Sequence, residues 1–176
     1  MIEDGAQPDR VIGPFRSSRE GLHARVRLLQ TAATVLTADP DVAFAALDQA
    51  VAYLRNDFLP QSQAEEFVLF PAVDGVMGSL GATNVMRAQH AGLAAMAGDF
   101  ERVVAAARQD GDLAAYEKYL LPLTHGLYAA IRSHLEAEDS DYLSLLDDHL
   151  SESQVDVIVK NMARVSEARA SANRHQ

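Results

Sequence analysis

Two pairs of side chains in this chain repeat one spacing, Gln61-x-x-x-Glu65 and His134-x-x-x-Glu138. Residues four apart on a helix share a face, with Cβ atoms about 5–6 Å apart, so each pair can reach one metal ion or two adjacent ones. His90 falls on a helical apolar stripe of its own, and His23 lies on the shoulder of another. Imidazole and carboxylate donors suit iron or manganese and also accommodate zinc. Thiolate chemistry is excluded outright: the chain has no cysteine, hence no disulfide, thiol nucleophile, iron–sulfur cluster or thiolate-held metal. Buried without partners, such groups cost several kcal/mol each, so they must either satisfy one another or bind something.

The elements that position these groups read as helices throughout, since no long segment alternates like a strand. Ser17 and Glu20 form a capping-box pattern that predicts a first helix over about 18–37. Asp39-Pro40 opens a second, which runs to about Ala72 before the Gly75, Gly78 and Gly81 region. A third starts near Thr83 and stops before Asp110-Gly111; a fourth runs from Asp112 to about Asp148. Ser151 with Gln154 opens a shorter fifth, carrying the stripe Val155, Ile158, Met162 and Val165. Residues 1–15, with Gly5, Pro8, Gly13 and Pro14, read as an irregular lead-in. The expected architecture is all-α, an up-down-up-down four-helix bundle over residues 16–150, because short connections force antiparallel neighbours. Residues 151–176 add a short C-terminal helix and tail.

Apolar stripes fix the inward faces: Leu22, Val26, Leu29, Ala33 and Leu36 on the first helix, and Phe44, Leu47, Val51, Leu54 and Phe58 on the second. The second, third and fourth stripes are interrupted by Gln61 and Glu65, by His90, and by His134 and Glu138. In antiparallel order the first three of these helices bring their polar groups to a level on the order of 10 Å from the same bundle end, at ~1.5 Å rise per residue. The fourth reaches it if it bends near Ser140. His125 falls on the opposite face from His134, Glu66 and Glu136 read as solvated, and Asp57 and Tyr142 stand in reserve beside the layer.

Composition narrows the partners. Fifteen Lys+Arg against 25 Asp+Glu give a formal charge of −10 over 176 residues, which argues against nucleic acid and anionic membrane surfaces. No apolar run suits a bilayer span or an export leader, so the cytoplasm is the expected location. No Gly-rich phosphate loop is present.

The stretches LPQSQAEEFVLFPAV and LYAAIRSHLEAEDSDYLSLLD resemble the two His-x-x-x-Glu segments of hemerythrin-like (HHE cation-binding) domains, a resemblance covering roughly residues 20–148. It implies an oxo- or hydroxo-bridged non-haem di-iron centre, with His23, position 61, Glu65, His90, His134 and Glu138 as ligands. The chain departs from that pattern at Gln61, where the family has His, and at His90, which has Met86 and Ala94 four residues either side. The expectation is therefore a histidine-poor, carboxylate-bridged site that binds or reacts with dioxygen, peroxide or nitric oxide, as an oxidoreductase if it turns over. The rival expectation is a mono-metal or metal-free bundle serving as a sensor or interaction module.

Overall fold

The computed structural model describes residues 12–173, the side chain of Ser18 excepted; the rest of the expected lead-in and the end of the tail lie outside the described residues. Helix α1 comprises Gly13–Arg25 and Arg27–Val35, offset at Val26. It begins ahead of the Ser17–Glu20 pair, which therefore lies inside it and caps nothing. Pro14 explains the earlier start, since its fixed φ and missing N–H fit a first helical turn at no cost. Phe15, Arg19, Leu22 and Val26 then form one continuous buried stripe.

Helix α2 is assembled from Pro40–Tyr53, Leu59–Ala64 and Phe70–Met77, joined by wider π-helical turns at Leu54–Phe58 and Glu65–Leu69. Each π turn is followed closely by a proline, Pro60 and Pro71. The widened turn relieves the clash that a proline ring makes with the preceding turn, so α2 continues where a regular helix would kink. Asp39 caps α2 by accepting from Asp41 N at 3.0 Å, and Gly78 closes it in the left-handed region at φ 63°.

Helix α3 is Asn84–Asp110, ended by Gly111 at φ 68°. Helix α4 runs through Leu113–Glu138, a third π turn at Asp139–Leu143, and Ser144–His149. Asp112 caps it by accepting from Ala115 N at 3.2 Å. Helix α5 is Glu152–Asn173, opened by the expected capping box in which Ser151 N donates to the Gln154 side chain at 2.9 Å and Gln154 N donates to Ser151 Oγ at 3.4 Å. Among the described residues there is no strand, and no helix is long and apolar enough to cross a membrane.

Helix α1 packs on α2 and α4, α3 packs on α4 and α2, and α5 lies along the middle of α2. The apolar interior is divided in two. One cluster gathers Leu29, Leu47, Tyr53, Phe58, Phe100, Leu127 and Ile131; the other gathers Phe15, Leu69, Phe70, Met86, Tyr142, Val155 and Met162, and needs α5 to close it. A polar layer separates them.

Because Met162 is 3% exposed, Met162→Ala is expected to lower the unfolding free energy by ~2–5 kcal/mol. Val157→Ala, on the exposed side of α5, should change it by less than ~0.5 kcal/mol. Urea unfolding followed by circular dichroism measures both, and equally small losses would show that α5 is not part of the core.

Candidate metal centre

The layer between the two clusters holds Glu65 from α2, His90 from α3, and His134 and Glu138 from α4, all buried. Each can offer one ligand atom such that all four atoms lie within 4.8 Å of one another. Glu65 and Glu138 each follow, four residues on along regular helix, a residue of the same face, Gln61 and His134, which sets both carboxylates inward. Glu65 opens one π turn and Glu138 immediately precedes another. Bulges of this kind recur at functional sites.

The two imidazoles face each other through Nε2 at 2.9 Å. Their other nitrogens are engaged: His90 Nδ1 donates to Glu66 Oε1 at 3.1 Å, and His134 Nδ1 donates to the Gln89 side-chain oxygen at 2.8 Å. Both outer partners are acceptors, so each neutral ring carries its proton on Nδ1 and turns an Nε2 lone pair inward. Two lone pairs at that distance repel unless a cation or a proton lies between them. Outer hydrogen bonds of this type fix the tautomer and orientation of metal-ligating histidines. Glu138 Oε1 is buried in the same space with no hydrogen-bond partner. An orphaned carboxylate oxygen and two converging lone pairs are the donor set of a divalent transition-metal site.

Apolar rings wall the layer on both sides. Phe70 stacks on His90 with centroids 5.2 Å apart, and Phe58 meets His134 edge-on at 6.4 Å. A cleft of about 310 Å³ between α3 and α4, lined by Gln89, Gly92, Leu93, Met96, Ala130 and Ser133, ends at His134.

The side toward α1 differs from expectation. Arg19, 1% exposed, enters the layer and donates from Nη1 to Glu65 Oε1 at 2.8 Å and from Nη2 to Glu138 Oε2 at 2.7 Å. Its Nε lies 2.8 Å from Asp139 Oδ1. His23, one turn further along α1, is directed away from the layer to Asp139 Oδ2 at 2.7 Å and remains about one-third exposed. It is not brought to the cluster, because the stripe that turns Phe15 and Leu22 inward carries Arg19 with it. Gln61 lies beside the cluster, half-buried, and donates its amide to Glu65 Oε1 at 3.3 Å. Glu66, expected in solvent, instead orients His90. Glu136 is exposed and pairs with Arg132, His125 is exposed, Asp57 pairs with Arg25, and Tyr142 packs edge-on against Phe70. Sequence reasoning missed Arg19, Gln89 and Asp139. The spacing Phe15–Arg19–Leu22 was the available signal for the first.

Residues 20–146 match the family model of the hemerythrin HHE cation-binding domain. The chain belongs to that family. No curated protein and no solved structure gives a match.

In this HHE domain the metal-free layer divides its charge unequally. Burial pushes the Glu138 carboxyl up, and the neighbouring Glu65 charge adds to it, reaching about 7 despite Arg19. Glu65 is equally buried, yet Arg19 and then His90 hold its pKa below the usual range. Burial opposes a charge on His90 as well, but Glu65 outweighs it and raises that pKa. His134 is driven down to about 4, by burial first and by the His90 charge second.

A metal held here would have to displace the proton of Glu138, so its affinity would fall as pH falls below about 7. The stability linkage has the same sense. A carboxyl whose folded pKa is raised stabilises the metal-free fold fully below its unfolded value, and that contribution is lost as pH rises through about 7. The gain in Tm from added zinc or iron(II) should thus be larger at pH 7.5 than at pH 5.5. Scanning fluorimetry of chelated and metal-loaded protein at the two pH values checks this, and equal gains would count against a metal held by these groups.

Proposed function

We propose that this HHE domain binds a transition metal, iron with manganese or zinc as substitutes, on Glu65, His90, His134 and Glu138, and that bound iron or manganese meets dioxygen, peroxide or nitric oxide. The observation that carries the reading is the convergence of those four donors, with both Nδ1 protons held outward by Glu66 and Gln89. When bound, a metal with unfilled coordination positions would supply small-molecule binding and electron transfer. The protein's own part is positional. Gln89 and Glu66 aim the two imidazoles, Phe58 and Phe70 keep water from the layer, and the cleft between α3 and α4 gives a small molecule a route to His134. The order in which each helix touches two neighbours supports an up-down-up-down bundle as the frame.

The bridged two-iron centre implied by the sequence resemblance does not fit the residues present. His23 is turned outward, position 61 is an amide whose N–H points at Glu65, and Arg19 holds one oxygen of each carboxylate. A rival reading, a metal-free polar core in an interaction or sensor module, draws support from the same Arg19 pairing. Against it stand the two facing Nε2 atoms and the orphaned Glu138 oxygen.

Protein purified without chelator should carry metal by elemental analysis. His134→Ala and Glu138→Ala should each lose most of it, while His125→Ala retains it. Equal loss in all three, or none in any, would remove the proposed site.

The outer partners give a graded version of that test. Gln89→Ala and Glu66→Ala leave the ligands in place and should weaken metal binding ~10–100-fold, read by competition with a chromogenic chelator. Unchanged affinity in both would mean that the ring orientations are set elsewhere.

A further inference from the structure

We propose that the Arg19 guanidinium stands where a second cation would stand, making this a site for one metal ion beside a fixed organic cation. The inference rests on the metal reading above and says how many ions the layer takes. Its basis is the way each carboxylate is shared. Glu65 gives Oε1 to Arg19, while its Oε2 lies 3.5 Å from His90 Nε2. Glu138 gives Oε2 to Arg19, while its unpartnered Oε1 lies 3.9 Å from the same His90 nitrogen. Both carboxylates, from different helices, therefore bridge between the guanidinium and the imidazole pair.

The two halves of the layer also differ in chemical sense. On the α1 side the groups meeting the carboxylates are N–H donors: Arg19 Nη1, Arg19 Nη2 and the Gln61 amide. On the α3–α4 side the imidazoles turn lone pairs inward. A metal ion needs lone pairs, so only the second half can accept one. The first is filled by a cation that cannot be deprotonated in a protein and whose planar fork reaches two carboxylates at once. Asp139, 2.8 Å from Arg19 Nε, holds the guanidinium from the third side and also turns His23 away. The residue that could have served a second ion is thereby committed to keeping the guanidinium in place.

Manganese(II) loading tests this, with metal per chain counted by elemental analysis and the electron paramagnetic resonance spectrum separating an isolated ion from a coupled pair. The wild type is expected to take one ion per chain with an isolated-ion spectrum, and Arg19→Lys, which keeps the charge, to do the same. Arg19→Met leaves the bridging carboxylates without their cation. Its metal-free form should melt below the wild type, and the Tm gained on adding manganese should exceed the wild-type gain. Two coupled ions in the wild type would overturn the assignment, as would an Arg19→Met protein whose metal-free Tm and manganese gain equal those of the wild type. Should Arg19→Met fail to fold, the ion count of the wild type and of Arg19→Lys decides alone. Absence of metal from every form would instead overturn the reading on which the inference rests.

Discussion

A guanidinium stripped of water is tolerated only where carboxylates replace the lost hydration, and Arg19 imposes that condition on everything around it. Glu65, Glu138 and Asp139 all approach it within 2.8 Å. The three come from two helices, α2 and α4, that must therefore present their acidic residues at the same height as α1 presents its arginine. Once they do, the remaining carboxylate oxygens are aimed at the imidazoles of α3 and α4, and the geometry of the metal side follows. Removing Arg19 leaves Glu65 and Glu138 buried without their cation, which is why the layer has to be read as a unit.

The backbone departs from regular helix at the positions this unit needs. Among the described residues there are three π turns, and two of them begin at or next to a layer carboxylate. The prolines of α2 and the acidic residues are thus parts of one device. The widened turn at Leu54–Phe58, ahead of Pro60, lies before Glu65 on α2, and the one ahead of Pro71 begins at Glu65 itself. The price is borne by an apolar seam that would otherwise be exposed, and α5 covers it by packing along the irregular stretch of α2.

Much of this was legible in the sequence. The helices, the Asp39 and Ser151 caps and the interrupted stripes could be read from spacing alone, because a buried Glu or His in an apolar stripe has few explanations. The spacing lets α4 reach the layer if it frays or bends near Ser140, and an irregularity is found there, the Asp139–Leu143 π turn. What failed was rotational phase on α1. Arg19 and His23 are one turn apart, and a small rotation decides which faces inward. Phe15 settles that phase, but Gly13 and Pro14 make residues 1–15 look irregular in the sequence, which hides the aromatic anchor. Glu66 is hard to place for a related reason. Next to a buried Glu65 it looks like the solvated neighbour, and only the position of His90 on another helix gives it a partner.

The cleft between α3 and α4 approaches the layer from the imidazole side, away from the guanidinium and the acidic groups. It is lined by Gly92, Leu93, Met96 and Ala130, with the polar side chains of Gln89 and Ser133 beside His134. On the proposed reading, a guest arriving this way would give up most of its solvent against the apolar walls. Small neutral molecules would lose little on that passage and anions much, so selection among guests would be made by the cost of drying, before any contact with the centre.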